Sequence, residues 1–486
     1  MDTQRRDESR GPLLVAFGNP LLDITAVVKD RSLHHQYQLP VDGQLEVNDT
    51  QRAVFNHVMN KYPVEYTAGG CALNSSRVFC WVLGEPHRVV FVGGIGKDSQ
   101  AQRLSSIVEE SGVVSRFVVV DDQPTGTCVA LVLGACRCLC ADIGAASTCE
   151  PHHVFTPALT PVLEAAQYIY VEGYFITHSF PATLQIAQYA AKHGKTLVFN
   201  LCGSYVCENH PNELSQLLPY VDILFGFVEE YRTLDRFVDV SKMAATLTSF
   251  PENIAHDLAL VLKAIRGEGK VIKDGIKDGD KSDLSDNDVI GCTDLQQTDN
   301  VKCSNGVNHS ERKCLQDEDG MEDKQRVNGV NCSQEGLGDT NNLQSLRISE
   351  EVSRSQRNCD LSNRTETTNL SNGTSKTHRS DPKDSLPPNN SSNRKQKLVV
   401  VTKGPSPLWY SLNRVVRERQ VPPITPEEIV DTTGAGDSFV GGFLAALSSG
   451  QPLDKCLDCG VWTAQQLLRQ KGCTLPSYAA SFLHKD

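Results

Sequence analysis

A glycine-rich turn that joins two apolar runs constrains the fold of this 486-residue chain more than any other segment. Residues 431–436 read D-T-T-G-A-G; a short apolar run, 428–430, precedes them and a run at helical spacing, 443–447, follows. This order predicts a β-strand, a tight turn and an α-helix. The first turn of a helix has free N–H groups at its positive dipole end, and glycine lets the backbone approach a ligand. The segment therefore predicts an anion-binding site.

Asp437 stands directly after this turn. A carboxylate repels a bound phosphate unless it has a chemical role, and the natural role is to accept the proton of a hydroxyl group that attacks the phosphate. The alternative is that Asp437 caps the helix. Spacing alone leaves both interpretations open.

The spelling of residues 431–439, D-T-T-G-A-G-D-S-F, resembles the C-terminal signature of the ribokinase (PfkB) family of carbohydrate and nucleoside kinases. The resemblance implies that Asp437 is the catalytic base. It also implies an anion hole for the transferring phosphoryl group and an ATP contact in the same turn. The residues concerned are Gly434, Ala435 and Gly436 for the anion hole, and Thr433 for ATP.

Two β-rich runs near the start of the chain, 13–18 and 24–28, enclose the turn N-P-L-L-D. Polar residues at the carboxyl end of a strand lie where open α/β sheets bind ligands; the alternative is a turn in which Asp23 bonds its own backbone. The segment resembles the N-terminal strand pair of nucleoside kinases of this family. That resemblance implies that Asp23 binds the ribose hydroxyls, with Asn19 beside it and Leu21 lining the base pocket.

Residues 62–74 predict a strand, a Gly-Gly break and a helix that starts near residue 73. The pattern A-G-G-x-x-x-N resembles the first signature of the same family. It implies that Gly69 and Gly70 form the hinge of a lid and contact the sugar, and that Asn74 contacts a sugar hydroxyl. A plain turn is the alternative.

The run Cys-Arg-Cys-Leu-Cys at 136–140 places three cysteines on one strand face, which suggests a soft metal ion. Such neighbours seldom close a tetrahedral site, so the sequence predicts no metal centre there. By resemblance, Arg137 is the lid arginine that reaches over the transferring phosphate, a role that suits an always-charged fork. Leu139 and Ala141 correspond to lid residues that cover the base.

Aromatic residues close the predicted strand 168–175. Phe175 packs in the core, or, by resemblance, stacks on the purine; Tyr205 falls where an aromatic residue closes the base pocket.

The strand 221–226 is followed in the family by Asn-x-x-Glu, which organises Mg²⁺ through water. Here Phe227 replaces the asparagine and Glu230 keeps the acidic position. Since Mg²⁺ relies mainly on water and phosphate oxygens, one missing amide need not abolish binding. After the next predicted strand, Thr402 and Gly404 are candidate ATP contacts by resemblance.

Residues 267–397 contain no Phe, Tyr or Trp and are rich in Asn, Ser, Asp and Lys. Such a segment cannot bury enough apolar surface to offset its ordering entropy, so we predict a disordered low-complexity insert. The kinase domain then comprises 1–266 and 398–486, with a lid from about 24–67 and 117–149.

The net charge of −12 disfavours a nucleic-acid partner, and no apolar stretch is long enough for a membrane span. The charged start lacks a signal-peptide core, which predicts a cytoplasmic protein, with the nucleus as a second location. The family resemblance suggests a monomer.

Together these features predict a three-layer α/β, ribokinase-like fold with a central, mostly parallel sheet and a small β-rich lid. The resemblance implies transfer of the γ-phosphate from ATP, with Mg²⁺, to the 5′-hydroxyl of adenosine. One alternative is another sugar or nucleoside kinase of the family. A second, motivated by Phe227 and the insert, is a non-catalytic nucleoside-binding scaffold.

Overall fold

The computed structural model describes residues 11–134, 136–241, 243, 254–274 and 397–484, and the backbone of the residue pairs 289–290, 303–304 and 307–308. The chain divides into two units, and all described residues belong to the unit formed by 1–311 and 393–486. Most of the predicted insert, 275–396, lies outside the described side chains. Its first residues do not: 271–273 form a strand of the central sheet, so the predicted boundary at 266 is too early.

The strands are β1 Leu14–Phe17, β2 Leu21–Val27, β3 Gly43–Glu46, β4 Glu65–Gly69, β5 Val89–Ile95, β6 Val114–Val119, β7 Thr127–Leu133, β8 Cys136–Asp142, β9 Tyr168–Glu172, β10 Thr196–Asn200, β11 Ile223–Phe227, β12 Val271–Lys273, β13 Val289–Ile290, β14 Cys303–Ser304, β15 Val307–Asn308, β16 Leu398–Thr402, β17 Leu408–Leu412 and β18 Val415–Arg419.

The helices are α1 Ser32–Gln36, α2 Ala53–Lys61, α3 Cys71–Leu83, α4 Ser99–Glu110, α5 Pro151–Val154, α6 Thr160–Ala165, α7 Gly173–Lys192, α8 Ser204–Asn209, α9 Pro211–Leu217, α10 Val228–Phe237, α11 Ala255–Ile265, α12 Ala435–Ser448 and α13 Leu453–Leu467. No described helix is long and apolar enough to cross a bilayer.

The central sheet has eleven strands in the order β13-β12-β18-β17-β16-β11-β10-β9-β1-β5-β6. The run from β16 to β6 is parallel throughout, whereas β17 pairs antiparallel with both neighbours. Every residue of β1 and β9 is buried, as expected for parallel strands that are covered on both faces. The predicted mostly parallel sheet is therefore confirmed.

Two hydrophobic cores lie on the two faces of this sheet. Alternate residues of β1 point to opposite faces: Val15 and Phe17 enter a core with α7, α10 and α11, while Leu14 and Ala16 enter a core with α3, α12 and α13. This arrangement is the predicted three-layer fold.

We use the name lid for the five-stranded sheet β3-β8-β7-β2-β4, which has its own small core. Its strands lie at 21–69 and 127–142, so the predicted ranges of 24–67 and 117–149 are shifted. Phe117 in particular belongs to β6, which pairs with β5 in the central sheet. The first lid excursion leaves the central sheet directly after β1 and returns through α3.

The predicted strand at 428–430 is wrong. Residues 426–428 form a short 3₁₀ turn, and Val430 is 55% exposed. The backbone N–H of Val430 donates to the carbonyl of Leu468, at the end of α13, instead of entering a sheet. The predicted glycine turn and helix after it do form, with α12 starting at Ala435.

Candidate active site

The N-terminus of α12 faces open space. Gly434, its N-cap, has φ +74°, and a Cβ there would lie 2.9 Å from the sulfur of Cys473, so only glycine fits. A Cβ at the exposed Gly436 would meet no atom within 4 Å. Gly434 has no side chain to cap the helix, so the first turn can bind an anion, in competition with one long hydrogen bond from the N–H of Ala435 to the carbonyl of Thr432 at 3.3 Å.

Asp437 is the third residue of α12 and only 8% exposed. Its Oδ2 accepts a hydrogen bond from Nδ2 of Asn74 at 3.0 Å. Burial raises its pKa to about 6, although hydrogen bonds from the Asn74 and Cys71 side chains oppose the rise. Since the N-cap is Gly434, the alternative that Asp437 is the cap is wrong. A carboxyl group with a pKa near 6 can accept a proton at neutral pH.

Helix α3 approaches Asp437 because two glycines precede it. Gly70, the N-cap, has φ +96°, and a Cβ there would lie 2.1 Å from the carbonyl oxygen of Asn19. The helix starts at Cys71, two residues before the predicted position. Asn74 was expected to contact a sugar hydroxyl; in this structure its amide binds Asp437.

Asp23 lies in the middle of β2, on the lid, so the interpretation as a self-bonded turn residue is wrong. Its carboxyl group packs against Gly69, where a Cβ would come 2.1 Å from Oδ1. Burial raises the pKa of Asp23 to about 7, while Arg137 and Arg77 lower it. The glycine thus makes room for a carboxyl group that faces the same site as Asp437, whose charge also raises its pKa.

The guanidinium of Arg137 ion-pairs with Asp431, the first residue of the glycine-rich turn, and both side chains are mostly buried. Asp431 also accepts hydrogen bonds from the backbone N–H groups of Thr433 at 2.9 Å and Gly472 at 2.7 Å. The predicted lid arginine is therefore docked beside the start of α12. The sequence interpretation assigned no role to Asp431, although it belongs to the signature.

The alternation of β8 separates its side chains. Arg137, Leu139 and Ala141 share the face that carries the docked guanidinium and are partly buried, whereas Cys138 and Cys140 enter the lid core with their sulfur atoms 3.5 Å apart. Among the described residues, no group of three or more His, Cys, Asp or Glu side chains could hold a metal ion.

The prediction that Phe175 stacks on the purine conflicts with its position. β9 ends at Glu172 and α7 begins at Gly173, which turns Phe175 into the core: it is 0% exposed and its ring centroid lies 6.4 Å from that of Phe17. A ring with no free face cannot stack on a ligand. The core-packing alternative is the one that the structure supports.

Tyr174, one residue earlier, is the aromatic residue that the sequence interpretation missed. Its ring stacks on that of Tyr205 with centroids 5.4 Å apart and planes at 18°. Its hydroxyl donates to the carbonyl of Cys202 at 2.7 Å and accepts from Nε2 of Gln44, on the lid, at 3.0 Å. Its carbonyl accepts from Nδ2 of Asn19 at 3.2 Å. The available signal was the Tyr-Phe pair itself; only the position of the strand end decides between its members.

Phe227 and Glu230 lie at the end of β11. Oε2 of Glu230 accepts a hydrogen bond from the backbone N–H of Phe227 at 2.8 Å, which caps the start of α10. Burial raises the pKa of Glu230 to about 7. Thr402 is the register partner of Phe227 on β16, and its hydroxyl donates to the carbonyl of Gly226 at 3.3 Å. Gly404 follows in the left-handed region, at φ +60°.

Leu21 opens β2 and is partly buried; the methyl Cδ2 of its side chain would lie 2.6 Å from a Cβ at Gly126. The candidate active site therefore combines residues from the lid and from the carboxyl ends of central strands. Among them, Asn74 binds Asp437 directly, and Asp23 and Glu230 lie near enough for the charge of Asp437 to raise their pKa values.

The model of the pfkB family carbohydrate kinases matches residues 40–246 and 362–480, more than half of the chain. The chain therefore belongs to this kinase family.

Relatives of this chain include adenosine kinases. The chain is 24% identical to adenosine kinase 1 of Arabidopsis thaliana over 464 residues, which is 96% of each protein. It is 31% identical to the adenosine kinase of Schizophyllum commune over 214 residues, which is 44% of this chain and 61% of that protein.

A crystal structure of Anopheles gambiae adenosine kinase in complex with P1,P4-di(adenosine-5) tetraphosphate superimposes with a TM-score of 0.61 at 26% identity, and covers 96% of this chain and 100% of the other. The Schistosoma mansoni adenosine kinase in complex with 2-fluoroadenosine gives a TM-score of 0.61 at 19% identity, with 96% and 97% covered.

Proposed function

We propose that this chain is an adenosine kinase, which transfers the γ-phosphate of ATP to the 5′-hydroxyl of adenosine and yields AMP and ADP, a reaction of purine salvage. Membership of a kinase family supports the reaction class, and full-length similarity to adenosine kinases supports the substrate. The observation that carries the proposal is Asp437: a buried carboxyl group with a pKa of about 6 in the first turn of α12.

Asp437 accepts the proton of the 5′-hydroxyl as the hydroxyl oxygen attacks the γ-phosphate. Asn74 orients the carboxylate by its hydrogen bond to Oδ2. The backbone N–H groups of Gly434, Ala435 and Gly436 stabilise the negative charge that develops on the phosphoryl group. Thr433 lies beside them as a candidate ATP contact.

Asp23 binds the ribose hydroxyl groups, since a carboxylate can accept from two neighbouring hydroxyls at once. Its position on the lid, against the hinge residue Gly69, means that ribose binding and lid closure are coupled. Gly70 gives the hinge its positive φ. Closure excludes water from the transferring phosphate.

In this proposal the base packs against the stacked pair formed by Tyr174 and Tyr205, whose ring centroids lie 5.4 Å apart. Leu21, Leu139 and Ala141 cover its edge from the lid. In this proposal Tyr174 takes the role that the sequence interpretation assigned to Phe175, and Asn19 supports it through the hydrogen bond to the Tyr174 carbonyl.

Arg137 stabilises the phosphoryl group from the lid side. Its guanidinium is paired with the carboxylate of Asp431. Because the fork of arginine has five N–H donors, it can keep Asp431 while it binds a phosphate oxygen. Thr402 and Gly404, after β16, are the candidate contacts on the ATP side.

Mg²⁺ enters with ATP in this proposal. The carboxylates of Glu230 and Asp437 fit a cation that phosphates and water hold for the most part, as is usual for Mg²⁺. When bound, the cation neutralises charge on the phosphates. Phe227 supplies no side-chain oxygen, so this chain relies on fewer protein contacts than the family pattern provides.

The test is ADP release by the purified chain with MgATP, with and without adenosine. Turnover that depends on adenosine supports the proposal. Preference for a free sugar across a substrate panel would contradict the purine pocket and favour another kinase of the family. Adenosine binding without ADP release, with turnover restored by Phe227→Asn, would favour the nucleoside-binding scaffold that Phe227 motivates.

Adenosine and ATP are the binding partners that this proposal implies. The monomeric state and the cytoplasmic or nuclear location stay predictions of the sequence.

A further inference from the structure

Glu172, the last residue of β9, is a buried carboxyl group to which the proposed reaction assigns no role; it is 1% exposed. Its Oε1 accepts a hydrogen bond from the backbone N–H of Asn19 at 2.6 Å, and its Oε2 accepts from the backbone N–H of Ala72. The two N–H groups belong to segments 53 positions apart along the chain, on either side of the site. One side chain therefore holds two substrate-binding segments together.

The bond to Ala72 replaces a missing helix cap. A helix normally satisfies its first N–H groups with a Ser, Thr, Asp or Asn at the N-cap. At α3 the N-cap is Gly70, because its φ of +96° and its contact with the Asn19 carbonyl exclude any side chain. Glu172 supplies the absent acceptor from a distant strand, and it places a carboxyl group at the positive end of the helix dipole.

Neighbouring residues are fitted to this carboxyl group. A Cβ at Gly18 would lie 2.6 Å from Cδ of Glu172 and 2.8 Å from Cβ of Ala72. Residue 18 therefore has no side chain, which lets the turn after β1 and the start of α3 approach the same carboxyl group. The small residues and the acid form one matched arrangement.

Both segments lead directly to the reacting groups. The turn that starts at Asn19 continues into β2 and Asp23, which is expected to hold the ribose. Helix α3 carries Asn74, whose amide holds Asp437 at 3.0 Å. A shift of either segment changes the position of Asp23 relative to Asp437, and misplacement of a bound hydroxyl relative to its base slows proton and phosphoryl transfer.

We propose that Glu172 is a positioning residue: its two backbone hydrogen bonds fix the ribose-binding segment relative to the segment that orients Asp437. This inference rests on the proposed adenosine kinase function and deepens it. Ala72, which donates to Glu172, follows the hinge glycines Gly69 and Gly70 by two residues. Glu172 therefore also anchors the side of the lid hinge that belongs to α3.

The test uses the full chain with Glu172→Gln, which keeps the shape but presents an N–H₂ group to one of the two N–H donors. Glu172→Asp is the second variant; it keeps the acid but withdraws it by one methylene, so the test does not depend on a single substitution. The matched control is Asp257→Asn, another buried carboxyl group. Asp257 accepts from Oγ of Ser411 at 2.5 Å and from the backbone N–H of Arg414 at 3.0 Å, in a region without any proposed site residue.

Two measurements are made on each protein. Hydrogen exchange should become at least tenfold faster in the peptides that contain Asn19 and Ala72 for both Glu172 variants, and stay unchanged there for Asp257→Asn. Steady-state kinetics should give an adenosine KM at least tenfold higher with an ATP KM within threefold of the parent value. Partial unfolding alone would lower the apparent kcat and leave both KM values unchanged, and Asp257→Asn should likewise change neither KM.

Unchanged exchange in both peptides would overturn the proposal, as would equal changes in the two KM values. If the parent chain itself fails to phosphorylate adenosine, the proposed function is refuted, whereas the exchange measurement still decides whether Glu172 holds the two segments.

Discussion

Replacement of Asp437 by Asn tests the proposed base most directly, because the substitution removes the charge and keeps the shape. The amide oxygen of Asn can still accept the hydrogen bond that Asn74 donates to Oδ2. Loss of a general base typically lowers turnover about 10²–10⁴-fold. We therefore expect kcat to fall by about that factor while the dissociation constant for adenosine stays nearly unchanged.

The same substitution should stabilise the fold, which separates loss of the base from loss of structure. Burial raises the pKa of Asp437 from 3.8 to about 6. Each pKa unit corresponds to about 1.4 kcal/mol, so the ionised carboxylate costs the native state about 3 kcal/mol at neutral pH. Below about pH 4 the carboxyl group is mostly protonated in both states and the cost is nearly absent; it grows as pH rises from about 4 to about 6 and is complete above that.

Urea unfolding of the parent and of Asp437→Asn at pH 4 and pH 7.5 measures this difference. The variant should be more stable by about 1–3 kcal/mol at pH 7.5 and equal to the parent at pH 4. Asp122→Asn, an exposed control in the turn between β6 and β7, should change neither turnover nor stability. A fall in kcat of less than tenfold would refute the assignment of the base, and a variant less stable than the parent at pH 7.5 would refute the burial argument.

Three further predictions concern the pocket, the metal side and pH. Tyr174→Leu should raise the adenosine KM about tenfold in steady-state kinetics, since base stacking is worth about 1–3 kcal/mol. Phe175→Leu should leave this KM unchanged and lower the melting temperature. The reverse pattern would restore Phe175 as the stacking residue. Phe227→Asn should lower the Mg²⁺ concentration that gives half-maximal turnover, and no change in a Mg²⁺ titration would contradict a role for this position. The free energy of unfolding should fall as pH rises from about 4 to about 8, because burial raises the pKa of Asp23 to about 7 and that of Glu172 to about 8. Urea unfolding measures this free energy, and a value that stays constant over the pH range would contradict the prediction.

Local patterns predicted the parts of the fold that depend on near neighbours along the chain. The buried strands and the turn into α12 were correctly predicted because continuous apolar runs and a Gly-x-Gly turn have few alternatives in an α/β chain. The strand expected at 428–430 was wrong because two apolar residues cannot reveal whether a sheet edge is available. Instead, the backbone N–H of Val430 donates to the carbonyl of Leu468, at the end of α13.

The candidate site was predictable in its signatures and not in its cross-chain contacts. Asp437, Asp23 and Arg137 could be found because their neighbours spell family signatures. The choice between Tyr174 and Phe175 depends on one residue, Gly173, where the strand becomes a helix. Glu172 and Asp431 act through hydrogen bonds to segments that lie 41–294 positions away in the sequence, and no local pattern reports such partners.

Electrostatic coupling among the acids around the site bears on how one site can hold a general base and still admit ATP. Loss of solvent contact raises the pKa of four carboxyl groups around the site: that of Asp437 to about 6, those of Asp23 and Glu230 to about 7 and that of Glu172 to about 8. The charge on Asp437 itself helps to raise the other three, so its ionisation favours their protonation. Fewer negative charges in the site mean weaker repulsion of the phosphates of ATP. Burial costs stability at each of these residues, and that cost is typical of sites whose acids are tuned for proton transfer.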